Sequence, residues 1–256
     1  MNDKQNPLSS EDSHAYWINR HKKHEGEWQA IGYSSGDLKI NQAFYDCRKQ
    51  ALLKAVCKYK GKLQGLQVLD VGCGLGVFSQ IYHEAGAEVY GIDISPEAIN
   101  YCDSLKIGNF ICAGVGDVPV IFDKTFDIIH CFDVLYHVTD DDEWAKAISG
   151  FDSVSGRDTL WLFTEFHIPK EITAEAHLVK RPISKYRNQL AKHERDILEE
   201  IPLYWLFNAV PSLATRYPKL ITKADRFGRI GKKLLQEYVA MWVIGPSHFE
   251  ATVKIP

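Results

Sequence analysis

The chain has 256 residues, of which 45% are hydrophobic and 12% aromatic, and its formal net charge is −3. This length suits one α/β domain with additions, and the apolar share is sufficient for a core. The slightly acidic balance argues against broad affinity for nucleic acids. The six cysteines are scattered without a CxxC pair, so we expect neither a disulfide framework nor a metal site.

The sequence also favours a cytoplasmic protein. Its longest apolar candidate, 238–244, is far shorter than the roughly 18 residues of a membrane-spanning helix. The N-terminal residues are polar and acidic, whereas a signal peptide would be basic and then apolar. We therefore expect no membrane span.

The first sixty residues are predicted to form a tail and a helical cap. Residues 1–13 are polar and are predicted to be a loose tail. Apolar residues then follow at helical spacing in two pieces, over 14–24 and 40–59. The remainder, 61–256, is predicted to be the main domain.

Strands and helices are predicted to alternate after residue 60. The first part reads as strands at 67–71, 88–93, 109–113, 126–131 and 159–166, with helices at 77–86, 96–105 and 140–154. The last part reads as a helix at 183–196, a strand at 197–207, an insertion at about 208–246 with a long helix over 223–244, and a last strand at 248–255. Such alternation indicates an α/β fold with a doubly wound, parallel sheet.

The most informative segment is VLDVGCGLGVFSQ, at residues 68–80. A short buried strand runs into a turn in which every second residue is glycine, and a helical pattern follows. Asp93 closes the next predicted strand, about 20 residues after the first glycine, where a carboxylate can accept hydrogen bonds from both ribose hydroxyls. The segment therefore predicts a site that fits a nucleotide at the carboxyl ends of the strands.

Asp70, Gly72, Gly74, Gly76 and Asp93 resemble the first motif of the class I S-adenosylmethionine (SAM)-dependent methyltransferases. The resemblance implies a Rossmann-like, seven-stranded, doubly wound sheet, with the N-terminal helical cap and a helical insertion before the last strand. It also implies SAM as the cofactor and S-adenosylhomocysteine (SAH) as the product. The dehydrogenase fingerprint GxGxxG would need a third glycine where this chain has Val77, so an NAD-type oxidoreductase is the weaker alternative.

The resemblance assigns a cofactor role to residues at four strand ends and in the cap. Asp70 is expected to hold the glycine turn through backbone N–H groups, and Asp117 to accept from the adenine amino group, unless it only forms a turn. Arg20 is expected to pair with the cofactor carboxylate, the alternative being a solvated arginine beside aromatic residues that pack onto the sheet. The predicted cofactor-binding residues are Tyr16, Trp17, Arg20, Asp70, Gly72, Cys73, Gly74, Gly76, Asp93, Ile94, Asp117 and Phe132.

Methyl transfer to a hydroxyl needs a group that removes its proton, and histidine is the commonest choice. His137 follows the predicted fourth strand and His167 the fifth, so both are candidates for substrate contact. Asp133 and Glu165 are the carboxylate alternatives, and each histidine has a structural alternative, as a helix neighbour or a packing residue. The remaining histidines lack a convergent setting: His14, His21, His24, His83, His130, His177, His193 and His248.

The sequence thus favours a SAM-dependent methyltransferase acting on an oxygen, less readily a nitrogen, of a small molecule. A catalytically inactive SAM-binding regulatory module is the main alternative from another class. A basic stretch over 216–233 is either a solvated helix face or a site for an anionic acceptor such as a sugar phosphate or nucleotide sugar. In the second interpretation, Arg226 and Arg229 form a phosphate fork.

Overall fold

The computed structural model describes residues 6–32, 38–204 and 238–247. The helices in these ranges are α1 (Ser10–Lys23), α2 (Trp28–Ile31), α3 (Leu38–Lys60), α4 (Val77–Glu84), α5 (Pro96–Leu105), α6 (Val118–Ile121), α7 (Asp141–Ser153) and α8 (Ile183–Ala191). The strands are β1 (Gln67–Val71), β2 (Glu88–Asp93), β3 (Asn109–Cys112), β4 (Phe126–Phe132), β5 (Ser155–His167), β6 (Ile172–Glu175), β7 (Leu178–Lys180), β8 (Arg195–Tyr204) and β9 (Tyr238–Pro246). None of the described helices has the length and apolarity needed to cross a membrane.

Seven strands form one sheet in the order β3-β2-β1-β4-β5-β9-β8. The five strands from β1 to β5 pair in parallel, whereas β9 is antiparallel to both β5 and β8. The predicted Rossmann-like α/β fold is therefore confirmed. The chain order reverses beside β1, and in open α/β sheets such a switch point carries the ligand crevice at the carboxyl ends of the strands.

The last part of the prediction needs a correction, because residues 238–246 form β9 and not the end of a helix. This strand lies between β5 and β8, and Tyr238 to Gly245 are all buried. A strand covered on both faces is a continuous apolar run, which periodicity cannot distinguish from a buried helix. The predicted insertion therefore ends before 238. Its remainder, the basic stretch and the strand predicted at 248–255 lie outside the described residues.

The N-terminal tail is also shorter than predicted. Helix α1 begins at Ser10 because the Ser9 hydroxyl accepts a hydrogen bond from the backbone N–H of Asp12 at 3.2 Å. Helix α3 ends at Lys60, and the division into a cap and a main domain at this point stays a prediction. No sequence pattern predicted the β6–β7 hairpin, a separate two-stranded sheet.

The sheet is covered on both faces. Helices α3, α4 and α5 pack against one face, and α6, α7 and α8 against the other. Strand β9 alternates between the two cores, with Met241 and Val243 in the first and Trp242 and Ile244 in the second. This burial fixes the register of the central strands, and with it the places where their carboxyl ends meet.

One buried polar group lies inside the first core. His130, on β4, is 1% exposed, and its Nδ1 lies 3.0 Å from the Tyr82 hydroxyl. Its ring lies against Phe78 and Phe132, at centroid distances of 4.7 and 3.8 Å. Burial lowers the pKa of His130 to about 3, so the imidazole is neutral in the folded protein.

This neutral histidine predicts acid sensitivity. The folded pKa lies below the unfolded value of 6.5, so the unfolded state binds the extra proton and stability falls as pH drops below 6.5. Between about pH 7.5 and pH 5, His130 should cost about 2 kcal/mol of unfolding free energy. The His130→Phe variant should therefore lose less stability than the wild type over this interval, as measured by urea denaturation.

His83→Phe, on the exposed surface of α4, is the matched control. The neutral His130 does not account for the acid sensitivity if the stability of His130→Phe has the same pH dependence as that of the wild type and the control.

Candidate functional site

A cavity of about 700 Å³ opens at the carboxyl ends of β1, β2 and β4, beneath helix α1. Its wall combines the glycine turn, the ends of three strands, the cap and the β6–β7 hairpin. The predicted site residues in this wall are Tyr16, Trp17, Arg20, Asp70, Gly72, Cys73, Gly74, Asp93, Ile94, Asp117, Phe132, Asp133 and His137. Among the described residues, Gly76, His167 and the carboxylate alternative Glu165 lie outside it.

The glycine turn is packed closely from two sides. Gly72 has φ 72° and Gly74 has φ 52°, backbone angles that favour glycine. A Cβ on Gly72 would collide with the Val134 side chain, and one on Gly74 would lie 2.6 Å from Cγ2 of Ile31 in α2. The turn therefore accepts the cap on one side and the loop after β4 on the other only because it lacks side chains.

Asp93 holds this turn from the end of β2. Its Oδ2 accepts from the Gly74 N–H at 3.0 Å, and its Oδ1 from the Ser95 N–H at 2.9 Å, at the start of α5. Burial raises the pKa of Asp93, whereas His21 and the backbone donors lower it. Each carboxylate oxygen can accept a further hydrogen bond, so Asp93 retains capacity toward the cavity.

Asp70 does not hold the turn in the way we predicted. Its Oδ2 accepts from the Ser79 hydroxyl at 2.6 Å, in the first turns of α4, and the N–H of Gly74 goes to Asp93 instead. Burial raises the pKa of Asp70 to about 7. Its Oδ1 lies 3.9 Å from Nε2 of the neutral His130, so this contact is not an ion pair at neutral pH.

Asp117 lies at the far end of the cavity, in the turn after β3. Its carboxylate accepts from the Gly114 N–H at 2.9 Å, which is the turn-forming role left open by the sequence. Asp117 is exposed and lines the cavity as well. Contact with an adenine amino group stays a prediction.

Two aromatic residues of the cap contact the hairpin and the loop after β4. The Tyr16 ring stacks on His177 of the hairpin at 4.3 Å, and the Trp17 ring meets His137 edge-on at 4.5 Å. Arg20 donates to the carbonyls of Gln29, at 2.9 Å, and Gly32, and thereby ties α1 to the segment after it. Pairing of Arg20 with a cofactor carboxylate stays a prediction, and it would need a change in these bonds.

Asp133 follows β4 in a left-handed backbone conformation, with φ 59°. Its N–H donates to the Thr164 hydroxyl at 2.7 Å, and that hydroxyl donates to Asp133 Oδ1 at 2.8 Å. Its Oδ2 pairs with Arg48 of α3. These bonds hold the turn and occupy both oxygens of the carboxylate.

His137 lies in the short 3-10 helix Leu135–His137. Burial lowers the pKa of His137 to about 3, so the ring is neutral. Its Nδ1 lies 2.9 Å from the His177 carbonyl oxygen, which can only accept, so we assign the ring proton to Nδ1. The lone pair is then on Nε2, and His137 can accept a hydrogen bond from a hydroxyl there.

The other two candidates for proton transfer are less well placed. The His167 Nδ1 lies 3.0 Å from Glu200 and 3.2 Å from the Tyr238 hydroxyl, at the edge formed by β5, β8 and β9. Glu165 is buried and absent from the cavity lining, and burial raises its pKa to about 8. Substrate contact by His167 or Glu165 stays a prediction, and His137 is the better placed residue.

Sequence reasoning missed several residues of the cavity wall. His21 and His177 had no motif around them, and only the fold brings them to Asp93 and His137. Arg48 and Lys180 are cations of the wall from α3 and β7, remote in sequence from the glycine turn. A charged residue in a predicted cap helix is the one signal that could have indicated Arg48.

The loop that carries His137 is held by Arg181, directly after β7, which is fully buried. Its guanidinium donates to Asp141 Oδ1 at 2.9 Å and to three backbone carbonyls, those of Leu135, Thr139 and Asp140, at 3.2–3.4 Å. A planar guanidinium with five N–H groups suits such a set of acceptors. The hairpin, the loop and the start of α7 are therefore joined through one side chain.

Residues 69–155 match the profile of a family described as "Methyltransferase domain". A ubiquinone biosynthesis O-methyltransferase of Bordetella avium is 31% identical over 116 residues, which are 43% of this chain and 46% of that protein. The chain thus spans about half the length of the curated relatives it matches.

Two solved structures share the fold at 18% identity. Magnesium protoporphyrin IX methyltransferase from Synechocystis PCC 6803 has a TM-score of 0.62, over 94% of this chain and 100% of its own. The [4+2]-cyclase SpnF has a TM-score of 0.62, over 94% of this chain and 97% of its own. At this identity the likeness shows the fold alone.

The fold and the glycine turn with Asp93 are those of a Rossmann-like methyltransferase. Residues 69–155 therefore carry a methyltransferase domain, in agreement with the resemblance to the class I SAM-dependent methyltransferases.

Replacing Arg181 should destabilise the protein. Arg181→Met leaves several buried carbonyls without their donor, so the free energy of unfolding should fall by about 2 to 4 kcal/mol, measured by urea denaturation. Arg187→Met, which removes an exposed arginine beside Asp196, should cost less than about 1 kcal/mol. Equal losses in the two variants would contradict the role given to Arg181.

Proposed function

We propose that the protein transfers a methyl group from SAM to an oxygen of a small molecule. The observation that carries the proposal is Asp93, a buried carboxylate that holds the glycine turn and retains acceptor capacity in a cavity that the neutral His137 also lines. The cavity volume of about 700 Å³ lies within the usual range of small-molecule sites.

The residues present fit a SAM molecule. Gly72 and Gly74 let a ligand approach the backbone, and Asp93 offers acceptors to a ribose diol. Ile94 and Val115 are apolar lining residues against which a base could pack. When bound, SAM supplies an electrophilic methyl group, and the chain has to hold, orient and desolvate the two reactants.

His137 has a defined part in this mechanism. Its Nδ1–H donates a hydrogen bond to the His177 carbonyl, so Nε2 is the atom that would accept a hydrogen bond from the hydroxyl group of the substrate. With a pKa of about 3, the ring does not take up a proton in the ground state. We infer that His137 orients the hydroxyl and accepts its proton only as that oxygen bonds to the methyl group and its O–H becomes acidic.

Two alternatives keep the same fold. The cyclase SpnF has this topology, so the fold by itself does not determine methyl transfer. A SAM-binding regulatory module without turnover would keep Asp93 and have no use for an ordered His137. An NAD-type oxidoreductase is less favoured because Val77 stands in the place of the third glycine.

The oxygen acceptor rests on the names of the relatives, which are O-methyltransferases of ubiquinone biosynthesis. A sugar, a sugar phosphate or a nucleotide sugar as the acceptor stays a prediction, because the basic stretch that suggested an anion lies outside the described residues. A cytoplasmic location also stays a prediction.

The first test is binding of the cofactor. Calorimetric titration should show that SAM and SAH bind and that NAD does not. Asp93→Asn should weaken SAM and SAH binding at least about tenfold, since a hydrogen bond to a charged group is lost. Asp103→Asn, an exposed carboxylate on α5, should bind like the wild type. Tight NAD binding or unchanged SAM affinity in Asp93→Asn would refute the proposal.

The second test concerns His137. Wild-type turnover is first established by SAH release with a panel of catechols, hydroxybenzoates and sugars. His137→Ala should then lower kcat about 100-fold or more and leave SAH affinity nearly unchanged. His167→Ala is the comparison and should retain most activity. Full activity of His137→Ala together with loss in His167→Ala would reverse the assignment.

A further inference from the structure

His21, on the cap helix α1, lies over the glycine turn. It is 4% exposed and lines the cavity, although α1 is otherwise largely solvated. Its Cε1 lies 4.0 Å from the position that a Cβ on Gly74 would occupy. Gly74 donates its N–H to Asp93, so His21 and Asp93 both adjoin this residue at the same end of the cavity.

The two side chains influence each other without sharing a hydrogen bond in the described structure. The bonds of the Asp93 carboxylate go to the N–H groups of Gly74 and Ser95. The carboxylate attracts the imidazole through space, and Glu97 adds to this, whereas burial and Arg20 lower the pKa of His21. His21 is therefore mainly neutral at pH 7, with one N–H donor and one acceptor nitrogen.

The cavity is lined by both a carboxylate and a neutral imidazole. Together these two side chains favour a ligand group that can donate to one and accept from the other. The carboxylate can only accept a hydrogen bond, whereas the imidazole N–H donates. A hydroxyl group is able to satisfy both, because its O–H donates while its oxygen accepts. A carbonyl group in this place could only accept from the imidazole N–H and would leave the carboxylate without a donor.

We propose that His21 is a cofactor-binding residue that holds a ribose hydroxyl together with Asp93. The inference rests on the proposed function, since SAM supplies the ribose. The hydroxyl donates to Asp93 and accepts from the His21 N–H. Because His21 belongs to the cap, this bond also links the position of α1 to the presence of the cofactor, and it selects ribose over deoxyribose.

The experiment is a thermodynamic cycle between the protein and the ligand. Affinities for SAH, 2′-deoxy-SAH and 3′-deoxy-SAH are measured by calorimetry on the wild type and on His21→Leu, which keeps bulk but removes the N–H. The wild type should bind one deoxy form about tenfold or more weakly than SAH. His21→Leu should bind SAH about 3- to 10-fold more weakly than the wild type does. The ratio of the SAH affinity to the affinity for that deoxy form should be smaller in His21→Leu than in the wild type by a similar factor.

Two variants serve as controls. His21→Gln retains an N–H donor and should retain part of the selectivity for SAH. His24→Leu, at the C-terminal end of the same helix with its ring beside Glu27, should match the wild type for all three ligands. Equal weakening of all three ligands in His21→Leu, or none, would overturn the inference.

A second measurement does not depend on the variants folding. In protein labelled with ¹⁵N-histidine, the ring signals of His21 should shift with SAH and shift differently with the sensitive deoxy form. Identical shifts with all three ligands would also overturn the inference. If the wild type binds neither SAM nor SAH, it is the proposed function that fails, whereas binding without coupling to His21 refutes this inference alone.

Discussion

The carboxylate of Asp93 is the interaction on which the cavity depends. It accepts from the Gly74 N–H and the Ser95 N–H, so it joins the end of β2 to the glycine turn and to the start of α5. With the turn fixed, Ile31 of the cap packs at 2.6 Å from the place of a Gly74 Cβ, and Val134 packs on Gly72. The cap and the loop after β4 therefore both pack against one turn, which is why the absence of side chains there matters for the whole site.

The other half of the cavity is organised by arginines that come from distant parts of the chain. Arg181 joins the hairpin to the loop that carries His137, and Arg48 of α3 pairs with Asp133 at the beginning of that loop. The His137 ring is then held between Trp17 of the cap and the carbonyl of His177. A loop held from three sides retains its geometry without a ligand, which is the preorganisation that an in-line transfer needs.

The sequence predicted the parts of the fold in which one local pattern determines one structure. Strands β1 and β2 and helix α5 have the predicted bounds, because capping residues, glycines and short β-branched runs mark them. Strand β9 was misread, since burial on both faces removes the alternation that identifies a strand. The β6–β7 hairpin was missed because it packs on the cavity mouth and not on the sheet.

The residues of the site could also be predicted only where a local pattern marks them. The glycine turn and Asp93 could be found because their spacing along the chain is itself the signal. The partner of Asp70 could not be foreseen, since either Ser79 or the glycine turn lies within reach of a carboxylate at that strand end. His21 and His177 reach the cavity only through tertiary packing, and a histidine has no local pattern that reveals such a role.

The protonation states of the buried ionisable groups in and near the cavity determine how much charge it carries. His130 and His137, with pKa values of about 3, are neutral above that pH, and their contribution to stability is lost as pH falls below 6.5. Asp70 and Glu165, with raised pKa values of about 7 and about 8, contribute stability below their unfolded values and lose it as pH rises through 7 to 8. The histidines therefore lower stability at low pH, and the two carboxyl groups lower it at high pH. Together they favour the folded protein at mildly acidic to neutral pH, at which most of these groups are uncharged. With Asp133 paired to Arg48, Asp93 is then the carboxylate with acceptor capacity at the glycine turn, and a cofactor that carries a ribose diol is the ligand that can use it.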